Sequence, residues 1–310
     1  MIAVAMSGGV DSCAATLILH EQGERVMGLT LVLDDGTPPP EHRQNASLIC
    51  RRLGVPHLLV DARKAFDSVK DVFCREYLAG RTPNPCVACN RDIKFGFLLA
   101  HALSMGADRL ATGHYARLGS HAGRMYVARG REEMSQEYFL GLVGQDALAK
   151  AVFPLAELTK PDAYRIVKDA GWDVPRYRGS RDVCFIPGGG YAGFVKRRTG
   201  LETVPGPIRD VRGRTVGVHR GALHYTVGQR KGLGIALGRR AYVLDVNARE
   251  NTITIGDPGD WSRRELAVRR LNFMKADRIE GPMDAFLKVR YRQEASPAVV
   301  LPHGESGCLA

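Results

Sequence analysis

The first third of the chain alternates short apolar runs with amphipathic stretches. Residues 2–6 are apolar and read as a strand. Residues 12–22 carry helical spacing through Ala15, Leu19 and Gln22, and Gly23 closes them. Residues 26–33 form a second apolar run, and residues 41–53 read as a helix that ends before Gly54. A third strand is predicted over 57–60, with a helix from about residue 64 to residue 78. Residues 92–104 read as a helix and 109–112 as a strand. Strands alternating with helices predict an α/β fold, a parallel sheet covered on both faces. Ligands of such sheets bind where strands turn into helices.

The pattern changes after about Pro187. Between Gly188 and Gly238 lie 13 of the 35 glycines. Short alternations follow at 241–246 and 252–255, which read as small β units between turns. Domain boundaries are expected between Gly188 and Gly206 and near Asp257.

A length of 310 residues suits two or three domains of about 100–200 residues each. With 45% hydrophobic and 25% charged residues, the chain is neither disordered nor collagen-like. No apolar run approaches the ~18 residues of a membrane-spanning helix. Residues 1–6 lack the basic flank and long apolar core of a secretory signal. The cysteines number seven. An odd count without an export signal points to a reducing, cytoplasmic setting with some thiols available for chemistry. The net charge is +11. Residues 1–175 balance 20 basic against 20 acidic side chains, so the whole excess lies in the C-terminal part. That excess is either a polyanion-binding face or a solvated basic surface.

Ser7-Gly8-Gly9-Val10-Asp11-Ser12 stands between the first strand and the first helix. Its glycines let backbone N–H groups approach a ligand, the helix start adds unpaired donors, and two hydroxyls can join them. The hexapeptide is a phosphate cradle without the spacing or lysine of a Walker A loop. Cys86-Val87-Ala88-Cys89 follows two prolines. Cys89 is expected just before a helix start, capped by Asn90, where Arg91, Lys94 and the helix dipole would lower its pKa. The same spacing is half a zinc site, but no second C-x-x-C supplies the rest, and His219, His224 and His303 lack ligand spacing. No metal ligand set is therefore assigned. Taken alone, Cys184 reads as a core cysteine; beside Cys89 and the loop it becomes a candidate second thiol.

The hexapeptide resembles the signature of the PP-loop ATP pyrophosphatases. The ordered blocks SGGVDS, TPNPC-x-x-CNRDIKFG, ATGHYAR, QEYFL, PLAELTKP, DVCFI and HYTVGQRKGLGI resemble the bacterial tRNA-specific 2-thiouridylase family from about Ile2 to Arg292. The resemblance implies a PP-loop catalytic domain over 1–200, a small β-rich tRNA-contact domain over 201–257 and a shortened C-terminal β-barrel over 258–310. It implies adenylation of a tRNA wobble uridine by ATP and Mg2+, then sulfur transfer from a cysteine persulfide charged by an upstream sulfur-relay protein. By position, the catalytic residues are Cys89, Cys184 and Asp11. Ala5, Met6, Ser7, Gly8, Gly9, Val10, Asp11, Ser12, Leu31 and Gly113 form the nucleotide site. Asn84, Pro85, Cys86, His114, Gln136, Arg290 and Tyr291 meet the tRNA. An iron–sulfur cluster on Cys86, Cys89 and Cys184 is an alternative to the favoured persulfide.

Some stretches depart from the family pattern. Met134-Ser135-Gln136-Glu137 stands where Lys-Asp-Gln-Ser is usual, and Ser180-Arg181-Asp182 where Ser-Gln-Asp is common. Residues 31–40 lack the usual Met and Trp pattern, and the family's barrel runs further than Ala310. A PP-loop relative with another acceptor, or a tRNA-binding or sulfur-relay paralogue with little catalysis, is the alternative these departures leave open.

Overall fold

The computed structural model describes residues 1–34, 40–172, 183–186, 190–235, 238–261, 265–303 and 307–309. Residues 180–182 and 35–39, both in stretches that depart from the family pattern, lie outside the described residues. The chain divides into two units. One comprises Met1–Asp67, Cys86–Arg181 and Leu266–Ala310; the other comprises Ser68–Pro85 and Asp182–Glu265.

The first unit is built on five parallel strands: β1 (Ile2–Ala5), β2 (Val26–Val32), β3 (His57–Asp61), β4 (Arg109–Ala111) and β7 (Ala151–Val152). Their order is β3-β2-β1-β4-β7, with Val4 of β1 opposite Gly28 and Ala111. Side chains alternate across a strand. Ile2, Val4 and Met6 accordingly enter one core and Ala3 the other. The first core is closed by α1 (Val10–Glu21), α2 (Pro40–Arg52) and α7 (Lys160–Asp169), through Cys13, Leu17, Ile49, Ala163 and Val167. Trp172 packs there too. The opposite core takes Phe95, Leu98, Leu99, Ala102 and Leu148. This is the doubly covered parallel sheet that the alternating pattern predicts.

The expected helix start at Asp92 is not observed. Helical backbone begins at Pro85 with α4 (Pro85–Ala88), continues as a ten-residue π-helix (Cys89–Leu98) and ends as α5 (Leu99–Ser104). Proline suits a first helical position because its N–H would be unpaired there anyway. Leu99 N–H reaches back to Lys94 O, five residues earlier. Cys89 therefore lies inside the helical run, and Asn90 does not cap it.

Two further elements escape the sequence pattern. A hairpin joins β5 (Ala116–His121) to β6 (Arg124–Arg129), and Arg124 ties it to the carbonyls of Phe273 and Met274. α8 (Gly190–Thr199) is a helix inside the glycine-rich stretch, where the sequence pattern assigned no element. Lys196, Arg197 and Arg198 in its last turn complement the helix dipole.

In the second unit, Phe73 of α3 (Arg63–Leu78) packs edge-on against Phe185 at 5.3 Å and Phe194 at 6.0 Å. Its sheet runs β10-β11-β8-β9, from β8 (Gly206–Asp210), β9 (Thr215–His219), β10 (Tyr242–Asn247) and β11 (Thr252–Gly256). Ile208, Val243, Ile253 and Ile255 form its core. The C-terminal stretch of the first unit adds β12 (Ala267–Arg269), β13 (Met283–Leu287), β14 (Ser296–His303) and β15 (Gly307–Leu309), in the order β12-β15-β14-β13. Among the described residues, no helix is long and apolar enough to cross a membrane.

Candidate active site

The glycine-rich hexapeptide leaves β1 at its C-terminal end and runs directly into α1. Met6 N–H bonds to Leu29 O at 2.8 Å, and Thr30 Oγ1 donates to Met6 O at 2.7 Å, so the loop starts from a fixed point. Gly8 has φ +75°, and a Cβ there would lie 1.8 Å from His42 O. Only glycine fits both constraints. Ser12 Oγ donates to Gly9 O at 2.9 Å and accepts from Ser7 N–H at 3.2 Å, which draws the loop into a ring around the helix start. Gly9 caps α1 in an extended conformation without a side-chain cap bond. The first N–H groups of α1 have no intrahelical partners.

Three residues converge on Asp11, in the first turn of α1. Lys160, the first residue of α7, places Nζ 2.6 Å from each carboxylate oxygen. Tyr115 OH donates to Asp11 Oδ1 at 2.6 Å. Gly113 packs against Asp11 so closely that a Cβ would meet Asp11 backbone and side chain at 2.8–3.0 Å. Burial, and then the Asp11 charge, push the Tyr115 phenol far up, so it is a hydrogen-bond donor at any working pH. Lys160 is fixed by a capping box, in which Thr159 and Asp162 bond each other's backbone N–H. The starts of α1 and α7 and the Lys160 ammonium thus surround one point, with one carboxylate between them. Such an arrangement suits a polyphosphate.

The turn that carries Gly113 also reaches the cysteine helix. His114 is buried, with Nδ1 2.7 Å from Thr112 Oγ1 and Nε2 3.5 Å from Lys94 Nζ on the π-helix. Burial, and then the Lys94 charge, hold its pKa well below the usual histidine value. The neutral ring accepts from Lys94 at Nε2 and donates to Thr112 from Nδ1.

Residues 1–188 match the family model described as the tRNA methyl transferase HUP domain, and residues 192–257 match its PRC-barrel domain. A tRNA-specific 2-thiouridylase from Clostridium botulinum (strain Hall) is 39% identical over 308 residues, covering 97% of this chain and 87% of the relative. The tRNA-specific 2-thiouridylase of Moorella thermoacetica is 40% identical over 313 residues, 96% of this chain and 88% of its own. That of Syntrophotalea carbinolica is 40% identical over 310 residues, 98% and 88%. The chain belongs to the tRNA-specific 2-thiouridylase family. Among solved structures, a U34-tRNA thiolase from Methanococcus maripaludis has a TM-score of 0.42 at 15% identity, over 59% of this chain and 60% of that one. That likeness is too remote to bear on the site.

The residues expected to act in a 2-thiouridylase fall into several groups. Ser7 to Ser12 and Gly113 come together as described. Ala5 ends β1, and Leu31 lies on β2, packed against the second core. Cys86 is exposed and Cys89 half-buried. The expected lowering of the Cys89 pKa is not observed. Burial pushes that thiol up, and Lys94 only opposes the shift, because Cys89 stands within the helical run rather than at its open end. Cys184 belongs to the other unit and is exposed, not a core cysteine; the next residue, Phe185, is the buried one. Cys86, Cys89 and Cys184 are thiols rather than disulfides. Asn84 is exposed and Pro85 buried.

Gln136 is used by the fold. Its Oε1 accepts from Tyr115 N–H at 3.1 Å, while its own N–H bonds to Tyr115 O at 2.9 Å. Tyr291 OH donates to Met134 O at 2.8 Å, and its ring lies 4.4 Å from that of Phe139. Arg290 beside it is exposed.

Sequence reasoning missed Lys160 and Tyr115. A signal for Lys160 was available: Thr159-Lys-Pro-Asp162 is a helix start with a cation at its positive end, where an anion is favoured. Such a lysine needs a separate anionic partner.

Proposed function

We propose that this chain is an ATP-dependent tRNA-uridine 2-sulfurtransferase that acts in the cytoplasm on the wobble uridine. Family membership over nearly the whole chain supports the substrate class, and the Asp11, Lys160 and Tyr115 cluster at two helix starts supports the ATP chemistry. The domain division suggested by the sequence, 1–200, 201–257 and 258–310, belongs to the same reading.

Uridine O2 is a poor leaving group. It attacks the α-phosphorus of ATP, the α–β bridging bond breaks, and pyrophosphate leaves. Backbone N–H groups of the loop and of α1 hold the phosphates, with Lys160 as the nearest cation. Mg2+ is commonly held by one carboxylate plus substrate phosphates, and Asp11 is the carboxylate that fits. When bound, that ion neutralises charge on the departing pyrophosphate.

The sulfur arrives as a persulfide on Cys184, loaded by a sulfur-relay protein. It attacks C2 of the activated base directly, or Cys89 attacks the Cys184 sulfur and releases hydrosulfide. In the first route Cys89 then attacks Cys184 Sγ and breaks the S–S bond of the adduct, so either route leaves a Cys89–Cys184 disulfide for a thiol reductant to reopen. AMP departs with the former O2, leaving 2-thiouridine. An iron–sulfur cluster on the same thiols is the less favoured route.

The deciding experiment measures 2-thiouridine in tRNA from a strain lacking this gene, with and without the parental chain. Restoration of the modified base together with tRNA-dependent release of AMP and pyrophosphate is expected. AMP release without thiolation would indicate another acceptor, and tRNA binding with neither would indicate a non-catalytic paralogue.

A further inference from the structure

In the segment 134–137, which departs from the family pattern at all positions but Gln136, three residues have structural tasks. Met134 O accepts from Tyr291 OH. Ser135 Oγ donates to Tyr115 O and accepts from Gly130 N–H, both at 2.8 Å. Gln136 clamps Tyr115. Glu137 is different. Its Oε2 is enclosed by protein and has no hydrogen-bond partner, although the residue as a whole is only partly buried. A buried carboxylate oxygen without a donor costs stability, and natural folds retain such groups where function needs them.

The surroundings indicate what donor is missing. Glu137 opens the short turn Glu137–Leu140. Asn90, next to Cys89 and 2% exposed, donates Nδ2 to Phe139 O at 3.0 Å, and its own Oδ1 is a second enclosed acceptor without a partner. The rings of Tyr138, Phe139 and Tyr291 cluster beside the turn, and Tyr138 OH donates to Val289 O. Aromatic faces with hydrogen-bonding groups at their edge are how proteins hold unstacked RNA bases.

We infer that Glu137 is the proton acceptor for the target base, taking the N3 proton of uridine as O2 is adenylated. This rests on the proposed thiouridylase reading. In the first step the O2–P bond forms, the α–β phosphate bond breaks, and the N3–H pair becomes the C2=N3 double bond as the proton passes to the carboxylate. In the second step hydrosulfide adds to C2, AMP leaves with O2, and a proton returns to N3, giving C2=S. The charged or titratable neighbours are Tyr291, and around its ring Lys288, Glu132 and Arg292. Cys89, Arg91 and Asp92 flank Asn90 along the cysteine helix.

The test uses the full chain, unmodified tRNA transcript and ATP, reading AMP release against pH, tRNA affinity and melting temperature. For Glu137→Gln, AMP release should fall about 100-fold, the usual scale of lost acid–base catalysis. Its acid limb in the rate profile should disappear, tRNA affinity should be unchanged and melting should not be lowered. Glu137→Asp should recover part of the rate. A Glu137→Gln rate within about threefold of the parent, an unchanged acid limb, or a loss confined to tRNA affinity overturns the proposal. In each of those cases parental activity leaves the thiouridylase reading standing. A parent that releases no AMP with tRNA overturns that reading and this proposal with it.

Discussion

Lys160 Nζ lies 2.6 Å from both carboxylate oxygens of Asp11, joining the first residue of α7 to the first turn of α1 across 149 positions of sequence. Each charge is about one-third exposed, the lysine 35% and the aspartate 29%. An ion pair that wet adds about 1 kcal/mol or less to stability. Its geometry is better explained by function. A lysine at a helix start opposes the dipole, and Asp11 offsets that charge until a phosphate chain takes its place.

Lys160→Met is therefore expected to separate stability from activity. Melting should change little, in keeping with a partly solvated pair. The tRNA-dependent release of pyrophosphate should fall about 100-fold, the cost of losing one preorganised contact to developing charge. Lys160→Arg should recover little, because the longer planar group does not reproduce a point charge seated between two carboxylate oxygens. A parental rate in Lys160→Met would remove the lysine from the ATP site.

Gly113→Ala tests the same site by shape alone. The added methyl would sit 2.8 Å from Asp11 C and 2.9 Å from Asp11 Cβ, closer than side-chain carbons come. Asp11 or the 112–115 turn must move, and overpacking of this kind costs about 1–3 kcal/mol. The variant should fold with a lowered melting temperature and a KM for ATP raised well beyond the parental value. An unchanged KM would show that Asp11 can shift without consequence for nucleotide binding.

The parallel sheet was legible because β1, β2 and β3 are short apolar runs and each helix between them ends at a glycine. The hairpin at residues 116–129 was not, since Gly119, Gly123 and three arginines interrupt its alternation and its anchors come from Phe273 and Met274, far along the chain. The loop 7–12 was readable from composition and position. Lys160 and Tyr115 join Asp11 only through tertiary packing, and no local spacing encodes that. The π-helix defeats sequence reading for the same reason. Its wider turn, seen in the Leu99 N–H bond to Lys94 O, leaves no mark in the spacing of apolar residues.

His114 gives the fold a pH dependence with a definite sign. Its folded pKa is held well below the ordinary 6.5 by burial and by Lys94. The unfolded chain therefore binds the proton more readily, and stability rises with pH across the interval between the two values. The contribution is complete above about pH 6.5 and is lost below it, by about 1.4 kcal/mol for each pH unit down to the folded pKa. His57 and His224, also lowered by burial, act in the same direction. Melting temperatures of the parent should fall as pH drops from 7 to 5. His114→Gln should be less stable at pH 7 yet show a flatter dependence. Parallel curves for parent and variant would mean that His114 titrates normally.

The cysteines can be separated by which chemical step each variant halts. Cys184 is exposed, so a donor protein can reach it, whereas burial raises the Cys89 thiol and, among the described residues, Lys94 draws it toward the thiolate. Activation of uridine by ATP needs neither sulfur. Cys184→Ser should therefore stop 2-thiouridine formation and keep tRNA-dependent AMP release within about threefold of the parent. Cys89→Ser should accumulate an added sulfur on Cys184, visible as a mass increase on its peptide that a reductant removes. Cys86 separates the two sulfur routes, because a persulfide relay uses two thiols and a cluster uses three. Cys86→Ser should retain much of the thiolation if Cys89 and Cys184 pass sulfur alone. If it instead loses activity together with iron, in protein purified without oxygen, the thiols hold a cluster. Thiolation that survives all three substitutions would mean that the sulfur travels by another path.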